Sequence, residues 1–282
     1  MRWSRSNEKA AKIIAKAENL NAVHYLFTIS NLPIRYLVIP KSGCTFVKNV
    51  LWRLEQGTIY ENQIRIHKED RNFLRAMALG LTDKDVAQED FAFTVIRHPV
   101  DRFFSLYSDK VIGERHRSFV RLRDTLLAHY DLDPDASTIE AHRANLYALA
   151  SFIEENLADE RHLPRDGHWT PQLGRKKRMH AANLKILLLN DLSSQLELLL
   201  SPIVPDIGEV IASLEKNRSG RALGQKKEIL DPALRRRILD IYGLDATFFS
   251  ATKGRWNEIM RRDDPWAHIP RYRQIDRWLK SR

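Results

Sequence analysis

Lys41, Ser42, Gly43, Cys44 and Thr45 follow one another where an apolar run, Ile34 to Ile39 with one Arg, gives way to a helical pattern. The run has the composition of a buried strand. Pro40 cannot donate to a strand ladder and Gly43 permits a tight turn, so the segment parses as strand, loop and helix. A loop that feeds a helix N-terminus presents unpaired backbone N–H groups and a partial positive charge, which together suit a phosphate. Lys41 adds a point charge and Thr45 a hydroxyl. The chemistry on offer is anion binding. An ordinary strand-to-helix turn with a solvated lysine fits the same residues, so the loop alone does not separate the two. The nucleotide-hydrolase P-loop places its glycines before Lys and Ser or Thr. Here Lys comes first and a single Gly follows.

A second set stands further along the chain. Phe91 to Ile96 is apolar, β-branched and aromatic, as a buried parallel strand should be. It runs into Arg97-His98-Pro99, and Pro99 suits the first position of a helix. That helix carries Val100, Phe103, Phe104, Leu106 and Tyr107 to about Ile112, with Ser105 on its second turn. In open α/β sheets, ligands bind outside the C-terminal ends of the strands. A fixed guanidinium at Arg97 with the Ser105 hydroxyl would hold a second phosphate there. A ligand with two separated anionic groups is implied.

The elements that must position these residues follow the same order. Ser6 to Asn19 reads as an amphipathic arm helix, and Thr45 to Glu55 as a helix stopped by Gly57. Gln63 to His67 alternates like a small strand, Asn72 to Ala78 looks helical, and Asp83 to Asp90 reads as a polar connection. Helical patterns run through Arg117–His129 and Ser137–Asn156, followed by a polar loop over Asp159–Lys177. Leu184 to Leu189 is a third core strand, and Asn190-Asp191 caps a helix over Leu192–Leu200. Asp206–Lys216 is helical, and Asp231-Pro232 opens a helix that Gly243 ends. Strands separated by helices predict an α/β fold, a three-layer parallel sheet with flanking helices.

Composition sets wider bounds. The 282 residues are 43% apolar and 29% charged, which describes a globular chain. A formal net charge of +10 favours an anionic partner: a nucleotide, an acidic polysaccharide, nucleic acid or a membrane surface. A single cysteine excludes an internal disulfide framework and reads as a reduced thiol of a cytosolic protein. Met1 to Lys16 has no sustained apolar core, so no signal peptide is expected. Leu184 to Leu200 comes nearest to a membrane span but is broken by Asn190, Asp191, Gln195 and Glu197. A soluble, cytoplasmic protein is expected. Ten histidines without an HExxH pattern give no metal site. The tail from Arg255 is basic and aromatic, with Trp256, Trp266, Tyr272 and Trp278. It reads first as a segment packed on the surface, and second as a nucleic-acid or polysaccharide contact.

Taken together, Pro40-Lys41-Ser42-Gly43-Cys44-Thr45 and the stretch Thr94 to Tyr107, with Arg97, Pro99, Arg102, Ser105 and Tyr107, carry a family likeness. They resemble the sulfotransferases that use 3′-phosphoadenosine 5′-phosphosulfate (PAPS). The closer likeness is to the Golgi carbohydrate enzymes of the chondroitin, dermatan and HNK-1 type, with a looser one to heparan sulfate 2-O-sulfotransferase. The first stretch looks like their 5′-phosphosulfate loop and the second like their 3′-phosphate motif. Asp166-Gly167-His168-Trp169-Thr170-Pro171-Gln172 is similar to their His-Trp-x-Pro segment. The likeness runs roughly from Ile34 to Phe249.

The resemblance implies a fold related to the P-loop nucleotide hydrolases, laid out as an arm helix (1–30), a sulfotransferase domain (31–250) and a tail (251–282). It implies PAPS as donor substrate, 3′,5′-ADP as product, no metal, and a saccharide or glycolipid as acceptor. Lys41 would contact the sulfuryl-bridging or 5′-phosphate oxygens, with Ser42, Gly43, Cys44 and Thr45 cradling that group. Arg97 and Ser105 would take the 3′-phosphate. In-line transfer depends on positioning and charge stabilisation, with a base to remove the acceptor proton. His67 falls between the two anion motifs, where glycan sulfotransferases of this type place their catalytic His, and is the first choice. His168 is the second, its other role being to bind the acceptor sugar. Trp169 is either its structural partner or a platform for that sugar.

Arg102 and Lys110 read as solvated charges, Lys110 with the option of facing an acidic glycan, and Arg218-Ser219 as a weak candidate for approaching the nucleotide. Unlike the Golgi enzymes, the sequence shows neither a membrane anchor nor paired cysteines, and Gln172 to Arg178 is strongly basic. These departures fit a cytoplasmic, bacterial version and leave the acceptor open, as acceptor contacts lie in variable loops. Nucleic acid is not expected as a partner, and a homo-oligomer is left open. Two other classes compete: a small-molecule kinase, and a non-catalytic polyanion binder resting on the net charge and the tail.

Overall fold

The computed structural model describes residues 21–112, 119–215 and 226–281. The expected arm helix and Arg218 and Ser219 lie outside these residues. Among the described residues there are four strands: β1 (Leu26–Thr28), β2 (Arg35–Leu37), β3 (Ala92–Ile96) and β4 (Lys185–Leu188). The helices are α1 (Cys44–Gln56), α2 (Asp83–Gln88), α3 (Pro99–Leu106), α4 (Val120–His129) and α5 (Ile139–Asp159). They continue as α6 (Lys176–Ala181), α7 (Leu192–Leu200), α8 (Ile207–Glu215), α9 (Lys226–Ile229), α10 (Pro232–Ile241), α11 (Gly243–Ile259) and α12 (Tyr272–Lys280). The chain divides into two compact units.

One unit is built on the sheet and draws on described residues of Glu18–Arg97, Arg175–Arg218 and Phe248–Arg282. Its strands lie in the order β1-β2-β3-β4, and every residue in them is buried. Burial on both faces is why β2, β3 and β4 read as apolar runs rather than alternating ones. β2, β3 and β4 are parallel, as expected. β1 pairs antiparallel with β2, so the sheet is mixed, and β1 was not foreseen. At three residues, it is too short for a periodicity to declare itself.

Both sheet edges are covered. The β1 edge meets the segment around Arg75, where Thr28 N donates to Leu74 O at 3.0 Å. The β4 edge meets Pro270–Tyr272, where Ile186 N donates to Pro270 O and Tyr272 N to Leu184 O, both at 2.8 Å. Covering an edge in this way removes the row of unpaired donors and acceptors on which another chain could pair. The basic tail therefore has a structural task, and the surface-packed reading of it is the one that fits. Trp256 is buried and donates its indole N–H to Ile186 O at 2.8 Å. Arg271 pairs with Asp90 at 2.6 Å.

The other unit is helical and draws on described residues of His98–Gly174 and Ser219–Thr247. α3, α5 and α10 pack around one apolar cluster that includes Phe103, Phe104, Leu149, Phe152, Ile153 and Trp169. A buried polar network runs through this unit, with Tyr107 Oη 2.9 Å from His142 Nδ1 and 3.3 Å from Asn145 Nδ2.

Four local expectations are corrected. Gln63–His67 is not a strand but the first part of a 3-10 helix, Gln63–Arg71. Ile66 is buried while Ile64 is exposed, so the alternation was not a one-sided face, and the Asn49 amide fixes the Gln63 carbonyl at 3.0 Å. Asp83–Asp90 is not a mere connection. Thr82 and Asp85 form a capping box that starts α2, and the acidic residues sit in its first turn, where the helix dipole favours them. The helix foreseen over 72–78 is a short 3-10 turn at Ala76–Leu79. Gly243 does not end a helix but opens α11, since α10 has already stopped at Ile241.

Candidate active site

The register of the parallel pair sets the first part of the site. Leu37 of β2 stands opposite Thr94 of β3, and the Thr94 hydroxyl donates to Leu37 O at 2.8 Å. Both strands therefore end at the same edge. From β2 the chain runs through Pro40 to Gly43 and enters α1. Lys41 has φ 66° and Gly43 φ 79°, so the loop turns twice through the left-handed region. A Cβ on Gly43 would lie 2.7 Å from Leu189 Cδ1 and 3.0 Å from Leu192 Cδ2, so glycine is needed for both conformation and space. Gly43 is the N-cap and supplies no side-chain acceptor to the first N–H groups of α1. Those groups and the positive end of a 13-residue helix face the loop.

Arg97 follows β3 directly and reaches the loop. Its Nη1 donates to Lys41 O at 3.2 Å. Lys41 and Arg97, 56 residues apart in sequence and each in a candidate anion motif, are thus joined by a hydrogen bond at one sheet edge.

His67 comes to the same loop from the 3-10 helix. Its Nε2 is 2.9 Å from Thr45 Oγ1 and 3.9 Å from Cys44 Sγ. On its other side, Nδ1 is 2.8 Å from the ammonium of Lys48. Lys48 is 1% exposed and also donates to Asp70 Oδ1 at 2.5 Å. The ammonium lies 4.9 Å from the centre of the Phe27 ring, and Arg75 donates to the Asp70 carbonyl at 2.8 Å. Lys48 had not been singled out. The available signal was a lysine among Val47, Val50 and Leu51 on the buried face of α1, since lysine is almost never buried without a partner.

The His-Trp segment belongs to the helical unit and is clamped from both sides. Arg102, expected to be solvated, is 3% exposed. Its guanidinium donates to Gly167 O at 2.5 Å and Thr170 O at 3.0 Å. It is the spacing from α3 to that loop, invisible in the sequence, that buries it. The Asp245 carboxylate accepts from Gln172 N at 2.6 Å and Leu173 N at 3.0 Å, and Tyr242 Oη donates to Trp169 O at 2.5 Å. Burial pushes the Asp245 carboxyl up, against the backbone N–H groups and Arg102, which pull it down. Burial likewise pushes the Tyr242 phenol well up.

Trp169 is a core residue, 4% exposed, with its ring edge-on to Phe152 at 5.6 Å. A sugar-stacking role for it is therefore replaced by a packing one. His168 stays half-buried, with Nδ1 2.5 Å from Asp166 Oδ1 and its ring edge-on to Phe119. A carboxylate on Nδ1 fixes the tautomer and leaves the lone pair on Nε2. Lys110 lies over the Phe119 ring at 4.7 Å and 3.5 Å from Asp109, so it is not simply solvated. Ser105 lies half-buried in α3, and its carbonyl accepts from the Ser108 hydroxyl at 3.5 Å.

The sheet unit thus brings together Lys41 to Thr45, His67 and Arg97, while Ser105 and His168 belong to the helical unit. Among the described residues, no group of three or more His, Cys, Asp or Glu is arranged to hold a metal ion. No described helix is long and apolar enough to cross a membrane. No curated protein and no solved structure matches the chain. A family model, described as the sulfotransferase family, matches residues 24–250. That span contains both candidate anion motifs, His67 and the His-Trp segment. With most of its length so matched, and with the two motifs meeting at one sheet edge, the chain belongs to the sulfotransferase family.

Proposed function

We propose that the protein transfers the sulfuryl group of PAPS to a hydroxyl of a saccharide or glycolipid. The observation that carries this reading is the hydrogen bond from Arg97 to the Lys41 carbonyl. It sets a guanidinium beside a helix N-terminus with a lysine, as a ligand with two separated anionic groups requires. In this reading the 5′-phosphosulfate lies on the backbone N–H groups from Ser42 to Thr45, with Lys41 against the bridging or phosphate oxygens. Arg97 takes the 3′-phosphate. The role of Ser105 at that phosphate rests on the motif it shares with Arg97. The acceptor proton goes to a histidine, His67 or His168, and no metal is needed for the transfer. The single cysteine fits a reducing compartment, the cytoplasm. A saccharide or glycolipid acceptor rests on the likeness to the carbohydrate enzymes.

The test is calorimetric. 3′,5′-ADP should bind, and Lys41→Ala and Arg97→Ala should each raise its Kd by about 10- to 100-fold, the worth of a charge-assisted hydrogen bond. ATP with Mg²⁺, titrated separately, should bind far more weakly. Tight binding of ATP–Mg²⁺ alone would make the protein a kinase instead. Nucleotide-independent binding to polyanions that survives both substitutions and falls steeply with salt would make it a non-catalytic binder. A screen of glycan acceptors with labelled PAPS then identifies the acceptor.

A further inference from the structure

We infer that Lys48 is a positioning residue: it holds His67 as a hydrogen-bond donor towards the Lys41–Thr45 loop, so that His67 does not take the acceptor proton. The inference rests on the proposed donor-binding role of that loop. Lys48 is not one of the motif residues on which the family likeness was drawn.

An ammonium has three donors and no acceptor. Lys48 has Asp70 Oδ1 at 2.5 Å as its counter-ion and His67 Nδ1 at 2.8 Å. The Nδ1 atom must therefore accept. A neutral imidazole has one donor and one acceptor, so the proton sits on Nε2, 2.9 Å from Thr45 Oγ1. The opposite tautomer would need an acceptor at Nδ1, and the Asp70 Oδ1 atom on that side is 3.9 Å away, too far for a hydrogen bond. Thr45 Oγ1 then receives the Nε2 proton, and its own proton is directed elsewhere. Thr45 is in the first turn of α1, next to the N–H groups of the loop.

The outcome is a chain in which Lys48 donates to His67 and His67 donates to Thr45 at the loop. Each donor in such a chain polarises the next, so a buried charge is transmitted to the anion without reaching it. Two further groups near this chain among the described residues, Cys44 and Arg75, do not reverse it. Cys44 Sγ stands 3.9 Å from Nε2, and Arg75 donates to the Asp70 backbone carbonyl. With Nε2 protonated and its proton given to Thr45, His67 acts on the transferring group through the Thr45 hydroxyl and has no lone pair there for a proton. His168, whose Nδ1 is held by Asp166, has that lone pair on Nε2.

The test reads the tautomer directly. Full-length protein labelled with ¹⁵N-histidine, at about pH 8 and so above the ordinary imidazole pKa, should show His67 protonated on Nε2 and bare on Nδ1. The His67→Gln spectrum assigns the signals. Lys48→Met should move His67 towards the Nδ1–H form, a shift that a purely structural lysine would not cause. If that variant does not fold, the wild-type spectrum and a second pair of variants still decide. His67→Gln keeps a donor but cannot act as a base, and should retain most of the roughly 100-fold of turnover that His67→Ala loses. An Nδ1–H tautomer in the wild type, or a Gln variant as inactive as the Ala variant, would overturn the inference. An Nε2–H tautomer in a protein that fails to bind 3′,5′-ADP would leave the Lys48–His67 pairing standing and remove the donor-binding reading instead.

Discussion

At the scale of single residues, the site depends on a few atoms whose alternatives are physically costly. Gly43 is the sharpest case. Alanine there meets a left-handed backbone and two leucine methyl groups at 2.7 and 3.0 Å. Gly43→Ala should lower stability by about 1–3 kcal/mol through backbone strain and overpacking. It should also weaken 3′,5′-ADP binding, because relieving the contact displaces the loop. Unchanged thermal unfolding and binding would show that the loop tolerates the shift. The two histidines differ in what stands behind them: an ammonium behind His67, a carboxylate behind His168. On the reading that His168 takes the proton, Asp166→Asn should reduce turnover by at least ~10-fold and leave nucleotide affinity unchanged. Steady-state rates beside calorimetry check this, and a matching loss of affinity would argue for a binding role.

At the scale of elements, the His-Trp loop is fixed by side chains from other segments. Arg102 on α3 binds two of its carbonyls, and Asp245 of α11 binds two of its N–H groups. Arg102→Ala should cost about 2–4 kcal/mol, since it removes a buried guanidinium and leaves two part-buried carbonyls without their donor. Chemical denaturation measures it, and a cost below about 0.5 kcal/mol, the level of an ordinary surface substitution, would mean that water replaces the guanidinium without penalty. α2 offers a milder test. Thr82→Ala removes the capping box and should cost about 1 kcal/mol.

At the scale of the whole molecule, the clearest pH effect comes from β4. Lys185 is buried between Asp90 at 3.9 Å and the Trp266 ring at 4.2 Å. Burial, with Arg271 nearby, lowers its pKa from 10.5 to about 8. Between about pH 8 and 10.5 the unfolded chain binds more protons at this site than the native one, so its contribution to stability rises with pH across that window. Lys185→Met should flatten the slope of unfolding free energy against pH there. An unaltered slope would place the titration elsewhere. The same region shows the use of the basic tail: with Trp256 on Ile186 O and Arg271 on Asp90, it closes the sheet, and its composition reflects that packing.

The sequence by itself determined the parallel strands, the loop at Lys41–Thr45, Arg97 at the end of its strand, and the family. Each of these is written in consecutive residues: an apolar run, a proline, a glycine, a basic residue at a fixed offset. Tertiary structure decided what depends on segments far apart in the chain. Lys48 and His67 are 19 residues apart, and only the 3-10 helix folding back onto α1 puts the ammonium on Nδ1. Arg102 and the Gly167 carbonyl are 65 apart, so a buried clamp reads as a surface charge. β1 is three residues long and exists because β2 offers it a partner. Local pattern marks the candidate anion loop, whereas the ammonium beside His67 and the burial of Arg102 follow from neighbours that only the folded chain supplies.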